Sequence, residues 1–494
     1  MAVANEGGKA VCRENEPLDL KGAASIHSSP DTEFAASKHA ASWLAILPSM
    51  LPWIFLFLAT PTVIFLSVCT PPFQSADEIN HFLRSYQVSV GEFYGRSGGY
   101  VDQGILEVYS HYSGLPFKPN ARVTAADEFA AASVKWTGKK VSSYFQNTST
   151  SPPIGYLVQA VAIVLGKMAG LSVLHTAMLA RLLNGALAIF ISFLALDWCR
   201  RGKLFMFAVL LLPMTLSLFA SCSQDALLIS MCCLAFSLLS RQISEDLPLS
   251  WPMTILLASA LLIVTIERPP YVPLLLVLLI PGLVPRWGGK PAWLTGLSLA
   301  GLSLCLTVIW WLAAFSSATT VVNVNTQSPV GARMQILALA HHPWILLPVM
   351  GNTCQYIGDY ARSFIGVLGW LDTYMPGPYY AIMILMLLVA LAGETLYTGR
   401  FGNRAARIVF LATLFTVASV FFIEYLVWTP VGALVVEGVQ GRYLIPLAIA
   451  AGIALPCVAK WDWGYRWATA LVVLCQPLTF LYLPKVIIER YYLR

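Results

Sequence analysis

The sequence predicts an all-α membrane protein that crosses the bilayer about eleven to thirteen times, with one large first loop on the outer side. Three observations predict it. First, 57% of its 494 residues are hydrophobic and only 11% are charged, against roughly 25% charged in soluble domains. A chain this poor in charge cannot cover a water-facing surface, so lipid is the solvent for much of its length. Second, apolar runs recur near 43–69, 177–197, 204–220, 225–240, 251–266, 272–285, 293–315, 379–395, 407–428, 443–460 and 467–484. Third, Lys and Arg gather in the short segments between alternate runs. That asymmetry is the positive-inside pattern, and it accounts for the net charge of +6 with no nucleic acid as partner.

Residues 1–42 are polar, mixed in charge and rich in small residues, and read as a disordered cytoplasmic tail. The run beginning near Ser42 is too long for the core of a cleaved signal, so it is a retained first span, and 43–494 form the membrane domain. Pro71 and Pro72 stop that span and open the outer loop 70–176. Within the loop, 154–170 is apolar enough to span, re-enter or lie along the interface. Charge decides. With the N-terminus inside and 154–170 not spanning, the cytoplasmic side receives Arg200, Arg201 and Lys203, then Arg241, Arg286 and Lys290, Arg400, Arg404 and Arg407, and Lys460 and Arg466. If 154–170 crossed alone, the Arg200–Lys203 cluster would flip outward and the pattern would fail. The C-terminal Lys485, Arg490 and Arg494 then face out, against the rule. Residues 336–376, with several glycines, His341, His342 and Asp359, form either a re-entrant pair or an outer cap.

Metal and disulfide chemistry have little support. Most of the ten cysteines sit in apolar runs (Cys199, Cys222, Cys232, Cys233, Cys305, Cys457, Cys475) and none lies in 70–153, so they read as packed thiols. Adjacent side chains such as His341 and His342 point about 100° apart on a helix and do not share one ion. Asn147-Thr148-Ser149 matches a glycosylation acceptor, a motif short enough to arise by chance.

With this orientation, polar residues that interrupt apolar sequence fall at one depth, where they line a cavity. In residues 69–95 (CTPPFQSADEINHFLRSYQVSVGEFYG), a helix beginning at Asp77 puts Asp77, His81 and Arg84 on one face, with Glu78 one residue around. Two adjacent carboxylates with His and Arg one turn on are more titratable chemistry than a helix cap requires. In ASCSQDALL, Asp225 is either a first-turn acid behind a Ser223 cap or a second outer carboxylate. Glu267 and Arg268 read as a pair that ends a span. In EGVQGRYLIP, Arg442 enters an apolar run beside Gln440 and Tyr443. Such an Arg either snorkels or grips an anion such as phosphate with a forked pair of hydrogen bonds. Arg181 and Asn184 repeat the arrangement in another span.

These stretches, together with SPPIGYLVQAVAIVLGKMAGLSVLHTAMLARLLN, LPMTL and VQGRYLIPL, resemble a family of bacterial polytopic membrane proteins of unknown function grouped with the GT-C glycosyltransferases, over about 45–485. The resemblance implies a multi-pass enzyme of the bacterial inner membrane. It would move a sugar from a polyprenyl-phosphate donor to an extracytoplasmic glycan or glycolipid acceptor during cell-envelope assembly. It further implies an essential acid soon after the first span, matching Asp77 and Glu78, and a Pro-Pro-Leu-Tyr-like segment, matched by Pro152, Pro153 and Tyr156 with Ile154 and Gly155 as a departure. The expectation is Asp77 as general base, Glu78 or Asp225 as its orienting or ion-binding partner, Arg442 with Arg84 on the phosphate, Gln440 beside them, and His81 holding acceptor or donor. Arginine or a divalent cation would stabilise the departing charge. Two other classes stay open: a transporter or flippase for a lipid-linked or anionic substrate, and a non-catalytic assembly subunit.

Overall fold

The computed structural model describes residues 30–94, 98–245, 247–317, 331–396, 403–456 and 458–493. The chain divides into a leading unit, Met1–Ala45, and the membrane body, Ile46–Arg494. The expected tail lies outside the described residues as far as residue 29, and helix α1 (Pro30–Cys69) begins with Pro in its first turn, where its missing N–H is no loss.

The body is almost wholly helical, as expected. Among the described residues, seven helices are long and apolar enough to cross a membrane: Trp43–Cys69 within α1, Val173–Trp198, Asp225–Glu245, Ala292–Ala314, Gly377–Thr395, Arg404–Val427 and Asp462–Tyr491. Four expected spans are short or broken instead. The run at 204–220 is two helices, Lys203–Leu210 and Pro213–Phe219, because Pro213 cannot continue the first. Trp251–Glu267 has 17 residues, and Gly441–Ala454, a four-residue 3-10 turn with a ten-residue α-helix, is shorter still. Pro269–Leu279 is a 3-10 helix, since Pro269, Pro270 and Pro273 lack the donors an α-helix needs. At about 2.0 Å per residue a 3-10 helix reaches further than an α-helix of the same length.

These segments run between two layers. One layer holds Cys69, Val173, Asp225, Glu267 and Tyr491; it is called the site face below. At the other, Arg200 meets Glu245 at 3.4 Å, the Glu394 carboxylate accepts the Gly202 and Leu204 N–H groups, and Arg201 donates to the Ile453 and Leu455 carbonyls. The short basic loops gather there. Between them, Asp225–Glu245 is the most enclosed helix, 89% buried, and Ala292–Ala314 the most peripheral, 17% buried.

Helix α2 (Glu78–Ser89) and α3 (Leu157–Met168) belong to the first loop, with helices Gln103–Tyr112 and Ala125–Ser133. A small antiparallel sheet, unexpected from sequence, pairs β1 (Gly98–Asp102) with β2 (Lys140–Tyr144), Gly98 opposite Tyr144 and Asp102 opposite Lys140. Asp102 closes it by accepting the N–H groups of Gly104, Thr137 and Gly138. Helix α3 is one of the shorter apolar helices and is not among the seven. Tyr156 at its start touches the loop at His81, and Lys167 near its end lies 4.4 Å from the Tyr86 ring centre and 4.3 Å from that of Trp136. Both ends therefore meet the same layer, while Leu157, Val161, Leu165 and Met168 point outward as an exposed apolar stripe.

The 336–376 region is a cap on the site face. Its helix α4 (Ile357–Gly366) leads into a short hairpin, Val367–Leu368 with Thr373–Tyr374. Trp370 in the hairpin donates to the Phe73 carbonyl (3.0 Å), and Asp372 pairs with Arg490 (3.0 Å). The C-terminal end of the last span is therefore held on the same face as the first loop. Tyr492 adds a hydrogen bond to the Cys69 carbonyl.

Candidate functional site

The site is assembled where α1 ends. After Pro71 and Pro72 the chain turns through two residues in the left-handed region, Phe73 (φ 64°) and Asp77 (φ 62°). For a residue with a Cβ this conformation costs about 1–2 kcal/mol, and strain of this kind concentrates where geometry serves function. Asp77 is the N-cap residue of α2 yet makes no side-chain capping bond. Its carboxylate points away to Arg442 (3.0 Å) and accepts a bond from Asn147 (3.3 Å). The glycosylation-like motif thus supplies a neighbour of Asp77.

Asp77 is the N-cap residue whose carbonyl accepts the His81 N–H (3.1 Å), and His81 and Arg84 follow three positions apart in α2, yet the three side chains do not share partners. The three diverge to different partners. Arg84 is fully buried and spends its donors on the carbonyls of Ser151, Glu92 and Phe93 and on Gln87. These bonds knit the loop together. Glu78 is equally committed. It takes a forked pair of bonds from Arg181 (2.7 and 2.6 Å) and one from the Cys222 N–H (3.0 Å). Arg181 also donates to the carbonyls of Ser67, Thr70 and Pro71. This buried pair locks the end of α1, the turn and the 220–225 segment into one piece. Asn184 adds bonds to the Ser221 and Ser223 carbonyls.

The open part of the cluster is a chain of alternating charge. Helix α5 (Asp225–Glu245) begins with Asp225, its N–H bonded to the Ser223 hydroxyl. The Asp225 carboxylate meets Arg268 at 2.8 Å and Arg442 at 3.8 Å. Arg442 continues the chain to Asp77. The Arg442 side chain is 5% exposed, that of Arg268 18% and that of Asp77 34%, so Asp77 is the member most open to solvent. Among the described residues the Arg442 Nε finds no partner, and the buried Gln440 Oε1 is likewise unpaired. Arg268 lies 4.3 Å from the centre of the Tyr443 ring.

His81 is the buried neighbour of this chain. Its Nδ1 is 2.9 Å from the Tyr156 hydroxyl, and that hydroxyl donates to Gln224 Oε1 at 2.8 Å. Burial pushes the His81 pKa below the usual histidine value; Asp77 and Asp225 pull it up, and Arg442 and Arg268 push it further down.

An apolar groove of about 620 Å³ is lined by Tyr360 and Phe364 of α4, by Val417 and Phe421, and by Leu444, Leu447 and Ala451, which follow Arg442 in the chain; the charged residues themselves do not line it. Gly441 makes this possible. A Cβ there would lie 2.2 Å from the Phe364 nitrogen and 2.3 Å from the Tyr360 oxygen, so only glycine lets α4 seat on the turn that carries Arg442.

Sequence reasoning passed over Arg268, Tyr156 and Gln224 as site members. Glu267 and Arg268 were expected to pair with each other. They face opposite ways instead, Arg268 to Asp225 and Glu267 to the Gly155 N–H (2.8 Å). Among the described residues no group of three or more His, Cys, Asp or Glu side chains is placed to hold a metal ion. Asp77 and Asp225 already share Arg442, so a divalent cation would have to displace a guanidinium. Asp359, part of the His341 and His342 region, pairs on the surface with Arg362.

A family model described as "Predicted membrane protein (DUF2142)" matches residues 56–451. The chain belongs to the DUF2142 family. The matched span contains every residue of the charged chain, with Tyr156 and the residues lining the groove, while the last helix, Asp462–Tyr491, lies beyond it. No curated protein and no solved structure matches.

Proposed function

We propose that this DUF2142 protein is a glycosyltransferase that moves a sugar from a polyprenyl-phosphate donor to an extracytoplasmic glycan or glycolipid acceptor in cell-envelope assembly. One observation carries the reading. A buried arginine, Arg442, has a donor unspent among the described residues and holds a solvent-reached carboxylate, Asp77, and two positions on in the chain Leu444 enters the lining of an apolar groove. A lipid phosphate has the matching form, with an apolar chain for the groove and an anion for the guanidinium.

In the proposed step Asp77 takes the proton of the acceptor hydroxyl. The hydroxyl oxygen bonds to the anomeric carbon as the bond from that carbon to the phosphate oxygen breaks. The electron pair leaves on the phosphate, whose charge Arg442 and Arg268 stabilise in a site of low dielectric. Asp225 orients both guanidiniums. Glu78 acts at a distance by holding the turn on which Asp77 stands. The basic face is the cytoplasmic one by the positive-inside rule, so the first loop and the cluster face outward from a bacterial inner membrane.

The test is transfer by purified protein in lipid from a panel of labelled polyprenyl-phosphate sugars, with wild type and Asp77→Asn side by side. Transfer by the wild type that vanishes in the variant is expected. Full activity in Asp77→Asn removes the base assignment. Absence of transfer from every donor by folded protein points to movement of the lipid itself, and a lipid-flipping assay then decides.

A further inference from the structure

Tyr156 is wholly buried, and its hydroxyl sits between two groups, His81 Nδ1 at 2.9 Å and Gln224 Oε1 at 2.8 Å. A phenol has one hydrogen to give. Given to Gln224, it leaves the Tyr156 oxygen to accept, so the hydrogen between Tyr156 and His81 belongs to His81 Nδ1. A neutral imidazole carries only one N–H. His81 Nε2 is then a bare lone pair, and it takes no hydrogen bond from the protein among the described residues. The charges around the ring are Asp77 before it on the same turn, Asp225 from α5, and the guanidiniums of Arg442 and Arg268.

A bare nitrogen lone pair repels phosphate oxygens and accepts hydroxyl hydrogens. The guanidiniums beside it do the opposite. We infer that His81 is a substrate-reading residue whose Nε2 accepts a hydrogen bond from a non-reacting hydroxyl of the sugar, and that Tyr156 and Gln224 are positioning residues that fix the tautomer able to do so. The ligand class is a polyol joined to an anion. This rests on the transferase reading for its substrate, and on the hydrogen-bond chain alone for the tautomer. Sequence spacing offers no sign of it, since His81, Tyr156 and Gln224 are brought together from three distant segments. The shared hydrogen has a functional consequence: with the amide of Gln224 reversed, Tyr156 would give its hydrogen to His81, and Nε2–H would face the anion instead.

The experiment reads the two halves separately. The imidazole nitrogens are observed by solid-state NMR on full-length, histidine-labelled protein in lipid at pH 7.5, with His81 assigned by its loss in His81→Gln. A protonated Nδ1 and unprotonated Nε2 are expected, and Tyr156→Phe should abolish that preference. A protonated Nε2 in the wild type overturns the inference, whatever the protein does. Binding is then measured for a short-chain polyprenyl phosphate with and without an attached hexose. His81→Gln should lose about tenfold in affinity for the hexose-bearing lipid, the worth of one hydrogen bond, and nothing for the bare lipid phosphate. Equal loss for both overturns the reading of the hydroxyl. If the wild type binds neither lipid, the transferase reading fails and the NMR result still decides the tautomer.

Discussion

At the residue scale, two adjacent carboxylates have opposite fates. Glu78 is buried with Arg181, and breaking such a pair leaves a guanidinium uncompensated, at a cost of about 3–5 kcal/mol. Glu78→Ala should therefore lower the thermal unfolding midpoint in detergent sharply and lose activity with the fold. Asp77→Asn should barely move the midpoint, because asparagine tolerates the left-handed backbone and Arg442 keeps Asp225 as a partner. A large loss of stability in Asp77→Asn would mean that Asp77 serves the fold. His81 adds a pH dependence. Its folded pKa is lowered, so below about pH 6.5 the unfolded chain binds a proton that the folded one refuses. Its contribution to stability is complete above that value and is lost as pH falls through the lowered folded pKa. A midpoint measured against pH should show this fall in the wild type and a smaller one in His81→Gln. Adjacency in sequence could not separate Asp77 from Glu78. The left-handed turn separates them, and only coordinates reveal it.

At the element scale, the site depends on helices that stop early. The 3-10 run Pro269–Leu279 begins where Arg268 meets Asp225, and the Tyr271 hydroxyl donates to the Tyr443 carbonyl at 2.5 Å. This short element carries one guanidinium and braces the turn that carries the other. That turn is seated by α4 through Gly441, whose N–H donates to the Ser363 hydroxyl (2.9 Å). Gly441→Ala would push backbone against backbone, with a cost of about 1–3 kcal/mol for overpacking and a displaced Arg442. Binding of a lipid phosphate to the purified variant should weaken while the protein stays folded. Unchanged binding would show that α4 gives way without moving Arg442. The apolar runs announced these elements, and the prolines explain the 3-10 geometry. The seat on Gly441 was not legible, because the glycine's role depends on a helix some eighty residues earlier in the chain.

At the scale of the whole molecule, the layers fix a topology that can be labelled. Serine, leucine and lysine positions 110, 493 and 290 are exposed. In a background without the ten native cysteines, Ser110→Cys and Leu493→Cys should react with an impermeant maleimide from the same side of intact cells, and Lys290→Cys only after permeabilisation. Leu493→Cys grouping with Lys290→Cys would break the arrangement that places the C-terminus beside the first loop. The basic C-terminus faces away from the basic layer because Arg490 is committed to Asp372 and to the Leu115 carbonyl (2.8 Å), so its charge is answered within the protein.

The sequence by itself determined the solvent and the helical class. Those properties are sums over many residues, set by apolar length and by the cost of moving charge across lipid, so they survive uncertainty about any one position. The tertiary structure alone decided the partners: Glu78 with Arg181, Arg268 with Asp225, and His81 with Tyr156 and Gln224. In each hydrogen-bonded pair the residues lie between 43 and 103 positions apart in the chain, and only packing brings them within hydrogen-bonding distance. A charge in an apolar setting must find an answer, and the sequence declares the need without naming the group that meets it.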